Sequence, residues 1–227
     1  MRARERDNRE GVQPVGLAER LRAETRDLHT AAERAGIMPA LLRGQIDRHA
    51  YCVLLRNLHP IYAVLEPALL GHAAHAVVGP VVFPALFRQA VLADDLRALH
   101  GANWADELPL QPAAAAYAQR LCEIDAAAPE LLVAHAYVRS LGDLSGGQLL
   151  RRIVAKSLAL GDDIGTRFYA FGSATDVASH LRAFRAALDA LPIDDAAGNA
   201  IVAEARSAFE RHAALFVQIE PGRSVGA

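Results

Sequence analysis

Two groups of residues in this chain have the types and spacing for chemistry. Arg22, Arg26, His29 and Glu33 fall at offsets of four, three and four, so on a helix two guanidiniums, an imidazole and a carboxylate share one strip. Such a strip combines a metal ligand, planar cations that recognise carboxylates, and an acid able to fix the imidazole through its second ring nitrogen. The second group lies within His135 to Leu150, where Gly142, Gly146 and Gly147 interrupt an otherwise helical apolar pattern. Gly142 and Gly146 are four apart and share one face, while Arg139 and Asp143, also four apart, share the adjacent one. Each interior glycine costs a helix about 1 kcal/mol relative to alanine, so three within six residues imply that the backbone passes close to a partner. A flat object can lie on that bare face, with one acid beside it.

Ordinary readings compete for both groups. Gly-x-x-x-Gly marks helix pairing in membranes, but Arg139, Asp143, Arg151 and Arg152 are too polar for a lipid-facing span. A phosphate-binding loop needs a lysine followed by Ser or Thr, and neither is present. Close packing of two soluble helices, with Arg139 and Asp143 as a surface ion pair, explains the glycine segment equally well by itself. A single histidine among nine is more often a surface or core residue than a ligand. Its neighbours change that balance: haem iron is commonly held by one neutral histidine, and its propionates need basic or hydroxyl partners, which Arg22 and Arg26 supply one and two turns away.

The elements that must position these groups are helical. The chain has 227 residues, 52% hydrophobic and 22% charged, enough for one domain with a substantial core. Only 6% are aromatic, and alanine and leucine dominate, which favours helix over sheet. Three- and four-residue spacing predicts helices near 16–36, from an Asp47 N-cap through Leu65 with a kink at Pro60, and near 87–100, 111–126, 129–160, 174–190 and 196–219. Residues 72–86 read as a connection. No apolar alternation persists as a strand, so the expected architecture is a single all-α domain over 16–219, with flexible tails at 1–15 and 220–227. A net charge of −2 argues against a general nucleic-acid binder. Cys52 and Cys122 lack metal-ligand spacing, Met1 to Val15 has no apolar core of a secretory signal, and no apolar stretch is long enough to span a bilayer. A soluble protein of the reducing cytoplasm is the expectation.

With both groups in view, the sequence resembles the haem oxygenase family. The resemblance is carried by Leu28-His29-Thr30-Ala31-Ala32-Glu33 and by Ala134 to Gln148, the second being highly specific. It extends through Gly44-Gln45, His59 to Glu66, Phe83-Pro84, Trp104, Gly165 to Arg185 and Ala208-Phe209, covering about 16–219. It implies a helical bundle in which haem is sandwiched between a proximal helix carrying His29 and a glycine-kinked distal helix. By position, His29 matches the axial iron ligand, and Gly142 and Gly146 the backbone lying over the oxygen-binding side. Asp143 matches the residue that organises distal water, and Tyr62 and Arg139 its hydrogen-bond network. Arg22, Arg26, Tyr137 and Arg185 match propionate contacts, and Met38, Phe209 and Phe216 pocket walls. Glu33 follows His29 as its orienting acid. His135 matches no ligand and is expected to make a structural hydrogen bond. Three positions depart from the family pattern: Ser140 stands where tyrosine is frequent, Pro60 interrupts the second helix, and Leu181 replaces a basic residue at the cationic edge, beside Arg182.

The activity so implied is cleavage of haem b, both substrate and cofactor, at a meso carbon to biliverdin, carbon monoxide and ferrous iron, using molecular oxygen and electrons from an external donor. Arg151, Arg152 and Lys156 follow the distal glycines and suit docking of an acidic ferredoxin- or flavoprotein-type reductase. The lack of a C-terminal anchor points to a soluble bacterial form. A haem carrier or sensor is the alternative, and it has no need for Asp143. A helical dinuclear-metal oxidase is disfavoured because no Glu-x-x-His occurs.

Overall fold

A computed structural model describes residues 15–161 and 164–222, so the expected tails lie outside the described residues except for Val15 and residues 220–222. The described chain forms α1 (Leu17–Glu33), α2 (Met38–Leu42), α3 (Arg48–Gly71), α4 (Gln89–Leu99), α5 (Trp104–Glu107), α6 (Pro112–Ala127), α7 (Leu132–Ser157), α8 (Ala174–Asp189) and α9 (Asp195–Val217), with no strand among the described residues. Short 3-10 turns lie at Gly79–Val81, Pro84–Leu86, Pro129–Leu131 and Arg167–Tyr169.

Local chemistry sets the helix starts. Asp47 accepts from the Ala50 amide at 2.7 Å to open α3, and Asp194 accepts from Ala197 at 2.8 Å to open α9. Ser173 and Asp176 form a reciprocal capping box at the start of α8, and Pro112 opens α6. α3 runs through Pro60 and Pro67 without a break. α7 likewise stays helical across all three of its glycines.

α9 is the chief packing partner of both α1 and α7. α1 buries Leu17, Ala18, Leu21, Thr25 and Ala32, which leaves the strip with Arg22, Arg26 and His29 off the core. α9 buries Ile201, Ala205, Ala208 and Leu215 completely between them, and truncating Leu215 to alanine should cost about 2–5 kcal/mol. This shared backing holds α1 and α7 apart and leaves a cleft between them.

The end of α1 is fixed by one glycine. Gly36 has φ +47°, and a Cβ there would collide with the carbonyl of Phe216 in α9. The next amide, Ile37, donates to that carbonyl at 3.2 Å. α1 therefore stops at Glu33, three residues before the expected end, and the chain turns into α2. At five and four residues, α2 and α5 are too short for periodicity to register.

Candidate functional site: a two-lobed cleft between α1 and α7

The cleft has two lobes that meet along His29 of α1, Val138, Gly142 and Ser145 of α7, and Phe209 of α9. The first lobe, about 330 Å3, is the more polar of the two and is lined in part by Arg22, Thr25, Arg26, Tyr137 and Arg185. The second, about 370 Å3, is more apolar; Met38 and Leu42 of α2, Leu54 and Leu58 of α3, and Phe216 form much of its wall. Glu33, Arg139, Asp143 and Gly146 also face it. The structure thus brings every candidate haem-site residue to the cleft except Tyr62, which lies behind it, bonded to two residues that line it; Arg151, Arg152 and Lys156 are not among the lining residues.

His29 is half exposed. Its ring meets Phe209 edge-on at 5.7 Å, and its Nδ1 is 3.8 Å from Glu33 Oε1. That separation is too long for a direct hydrogen bond and suits one bridging water or a weak charge contact. Opposite His29, ideal Cβ atoms built on Gly142 and Gly146 meet nothing within 4 Å, so both glycines face open cleft. Gly147 differs: its Cβ would come to 3.4 Å from the Tyr169 carbonyl, so this glycine serves helix packing.

Behind the glycines sits a buried polar cluster. Arg139 donates through Nη2 to Asp143 Oδ1 at 2.7 Å, through Nε to the Tyr62 hydroxyl at 2.7 Å, and through Nη1 to His212 Nε2 at 2.8 Å. Tyr62 donates in turn to Asp143 Oδ2. Burial pushes the Asp143 carboxyl above the usual range, against the pull of the Arg139 charge, the Tyr62 hydrogen bond and the more distant Arg88 charge. Arg139 stays firmly charged: burial works against its charge, but Asp143 and Tyr62 outweigh that. The site therefore carries one carboxylate, held on both oxygens, that burial makes easier to protonate than a surface acid.

The far wall of the second lobe is the turn Arg167–Tyr169. Asp95 of α4 accepts from the Arg167 amide at 3.2 Å and the Phe168 amide at 2.7 Å, and fixes this turn. Burial raises the Asp95 carboxyl to about 6, opposed by those two amides. Phe168 and Tyr169 line the lobe, and Phe168 meets Tyr62 edge-on at 5.7 Å.

His135 lies outside the cleft, fully buried. The Tyr117 hydroxyl donates to its Nδ1 at 3.0 Å, and its Nε2–H donates to Glu204 Oε1 at 3.2 Å. Its hydrogen bonds are structural, as the sequence reading had it. Sequence reasoning missed Phe168, Tyr169 and His212. For His212 a signal existed, since Phe209, His212 and Phe216 share one strip of α9 at offsets of three and four.

Residues 15–218 match the family described as Heme oxygenase. The chain belongs to the haem oxygenase family. It is 40% identical over 204 residues to "Heme oxygenase 1" of Nostoc sp., an alignment spanning 90% of this chain and 86% of the relative. Its fold matches the crystal structure of heme oxygenase-1 from Synechocystis sp. in complex with heme, with a TM-score of 0.84 at 37% identity, covering 90% of this chain and 92% of that one. Heme oxygenase-2 from Synechocystis sp., solved in complex with heme and NO, matches at a TM-score of 0.86 and 38% identity, covering 89% and 84%. The expected all-α single-domain fold of the haem oxygenase family stands. Among the described residues, no helix is long and apolar enough to cross a membrane.

Proposed function

We propose that the cleft takes haem b flat between α1 and α7, and that the protein opens the ring at a meso carbon, with molecular oxygen and electrons from an external donor, to biliverdin, carbon monoxide and ferrous iron. The observation that carries this reading is the pairing of a half-exposed imidazole on one wall with bare glycine backbone and a buried carboxylate on the other. The residues fit the group. Among the described residues no three His, Cys, Asp or Glu side chains converge on a metal, so an ion at His29 needs its other ligands from a molecule such as a porphyrin. The polar lobe suits two propionates, with Arg22, Arg26, Tyr137 and Arg185 as partners, and the apolar lobe suits the rest of the ring, against Met38, Phe209 and Phe216. Arg22 now pairs with Glu19 at 3.2 Å on the exposed rim, an exchangeable contact.

Bound haem supplies both the iron that activates oxygen and the carbon that is oxidised. His29 would hold the haem iron through a ring nitrogen, with Glu33 orienting the ring. Gly142 and Gly146 remove side-chain bulk where the ligand lies flush against backbone. Asp143 holds and passes on a proton at the cleft wall, while Tyr62 and Arg139 keep its carboxylate aimed. Arg151, Arg152 and Lys156 form the docking face for an acidic ferredoxin- or flavoprotein-type donor. This activity belongs to the reducing cytoplasm, where thiols such as those of Cys52 and Cys122 stay reduced.

The test is to mix the purified protein with haemin, a reductant and oxygen and to follow the visible spectrum. Loss of the haem band with appearance of biliverdin is expected. An intact haem band despite demonstrated electron delivery would leave a carrier or sensor as the better reading.

A further inference from the structure

We propose that His212 is a positioning residue for this reaction: as a hydrogen-bond acceptor it locks the Arg139 fork, and through that fork it aims Asp143 into the cleft. The inference rests on the proton role proposed for Asp143. His212 is 2% exposed on α9, and its two ring nitrogens have different partners. Nδ1 lies 2.9 Å from the Ala208 carbonyl, which can only accept, so Nδ1 carries the hydrogen. Nε2 is then bare and accepts from Arg139 Nη1 at 2.8 Å.

The ring cannot turn to swap these roles. Tyr117 of α6 packs edge-on against it at 4.9 Å and 86°, and Phe216 lies at 5.9 Å. A protonated ring would set a donor and a positive charge against the guanidinium. Burial and the Arg139 charge accordingly hold the imidazole well below its ordinary range. With Nε and Nη2 of Arg139 committed to Tyr62 and Asp143, His212 satisfies the remaining edge of the fork. Without an acceptor there, Nη1 is left buried and unpaired, and the guanidinium has reason to rotate away from Asp143. The contact also ties α9, the shared backing of the cleft, directly to the reactive wall.

The test compares His212→Leu, which keeps bulk and removes the acceptor, with His212→Gln, whose amide oxygen can replace Nε2. In the apoprotein, nitrogen-15 NMR should find His212 as the neutral Nδ1–H tautomer at neutral pH and still neutral below the ordinary imidazole range, where exposed histidines have taken up a proton. A slowly exchanging Arg139 Nε–H signal should be present in wild type and His212→Gln and lost in His212→Leu. With haem loaded, both variants should bind it within about twofold of wild type, while biliverdin formed per electron delivered falls about tenfold in His212→Leu and is largely rescued in His212→Gln. Thermal melting of each variant separates this from unfolding. Wild-type yield from a folded His212→Leu, or equal failure of both variants, overturns the proposal. Asp143→Ala is run alongside: if it too turns over normally, the proton role of Asp143 fails; if it alone is defective, the clamp by His212 fails.

Discussion

Arg139 Nη2 and Asp143 Oδ1 lie 2.7 Å apart, one turn from each other on α7, with both side chains nearly excluded from water. The sequence spacing admitted an exposed i,i+4 ion pair, worth a few tenths of a kcal/mol. Instead the pair is buried under α3 and α9, with Tyr62 and His212 completing its hydrogen bonds. Removing one partner of a buried pair typically costs about 3–5 kcal/mol, because the other charge is left uncompensated. Such a cost suits a group held for chemistry.

The two glycines that face the cleft should separate stability from function. Gly142→Ala meets no atom within 4 Å and relieves a helix penalty, so the apoprotein should gain about 0.5–1 kcal/mol by denaturant unfolding. Haem turnover should fall, because the methyl occupies the face the ligand needs. Gly36→Ala, at φ +47° against the Phe216 carbonyl, should instead destabilise strongly. Equal effects of the two substitutions on stability contradict the cleft assignment.

His29→Ala should leave apoprotein stability within about 0.5 kcal/mol, since the side chain is half exposed and has no close hydrogen bond. Haemin titration of the variant should give a visible spectrum lacking the wild-type axial ligation. A wild-type spectrum makes another residue the ligand.

Acid stability should report the second buried network. Glu204 has its carboxyl lowered to about 2: burial opposes the shift, but hydrogen bonds from His135 and Arg120 outweigh it. A depressed folded pKa contributes stability that is fully present above the ordinary carboxylate value and lost as pH falls toward 2. Glu204→Gln should therefore lose roughly 2 kcal/mol at neutral pH, and its unfolding energy should fall less steeply between about pH 4.5 and 2. Parallel pH profiles of variant and wild type refute this assignment.

The proposed donor face predicts a kinetic effect confined to electron delivery. Reversing charge at Arg152 and Lys156 together should raise the KM for an acidic protein donor several-fold and flatten its salt dependence, with haem binding unchanged. The same turnover with a small-molecule reductant should be unaffected. An unchanged protein-donor KM moves the docking face elsewhere.

What could be read from the sequence follows from distance along the chain. His29 with its arginines, and Arg139 and Asp143 with their glycines, each sit within a few turns of one helix, so spacing alone grouped them. Their meeting across the cleft came from the family resemblance, since periodicity says nothing about which helices face each other. The wall at Phe168 and Tyr169 escaped notice because it depends on Asp95, about seventy residues earlier, capping a three-residue turn. α2 escaped because five residues give no periodicity, yet it closes the apolar lobe with Met38 and Leu42. His212 lay on a visible strip, but its partner on α7 is 73 residues away.

The central claim is that Asp143 makes this cleft a ring-opening site and not merely a haem-holding one. The most direct measurement is a single turnover of haem-loaded Asp143→Ala beside wild type, with equal electron delivery and biliverdin read at the end. Haem affinity should stay near that of wild type and the biliverdin yield should be at least about tenfold lower, the loss of one positioned proton-transfer group being worth roughly 10²–10⁴ in rate. An undiminished yield from the variant would contradict it.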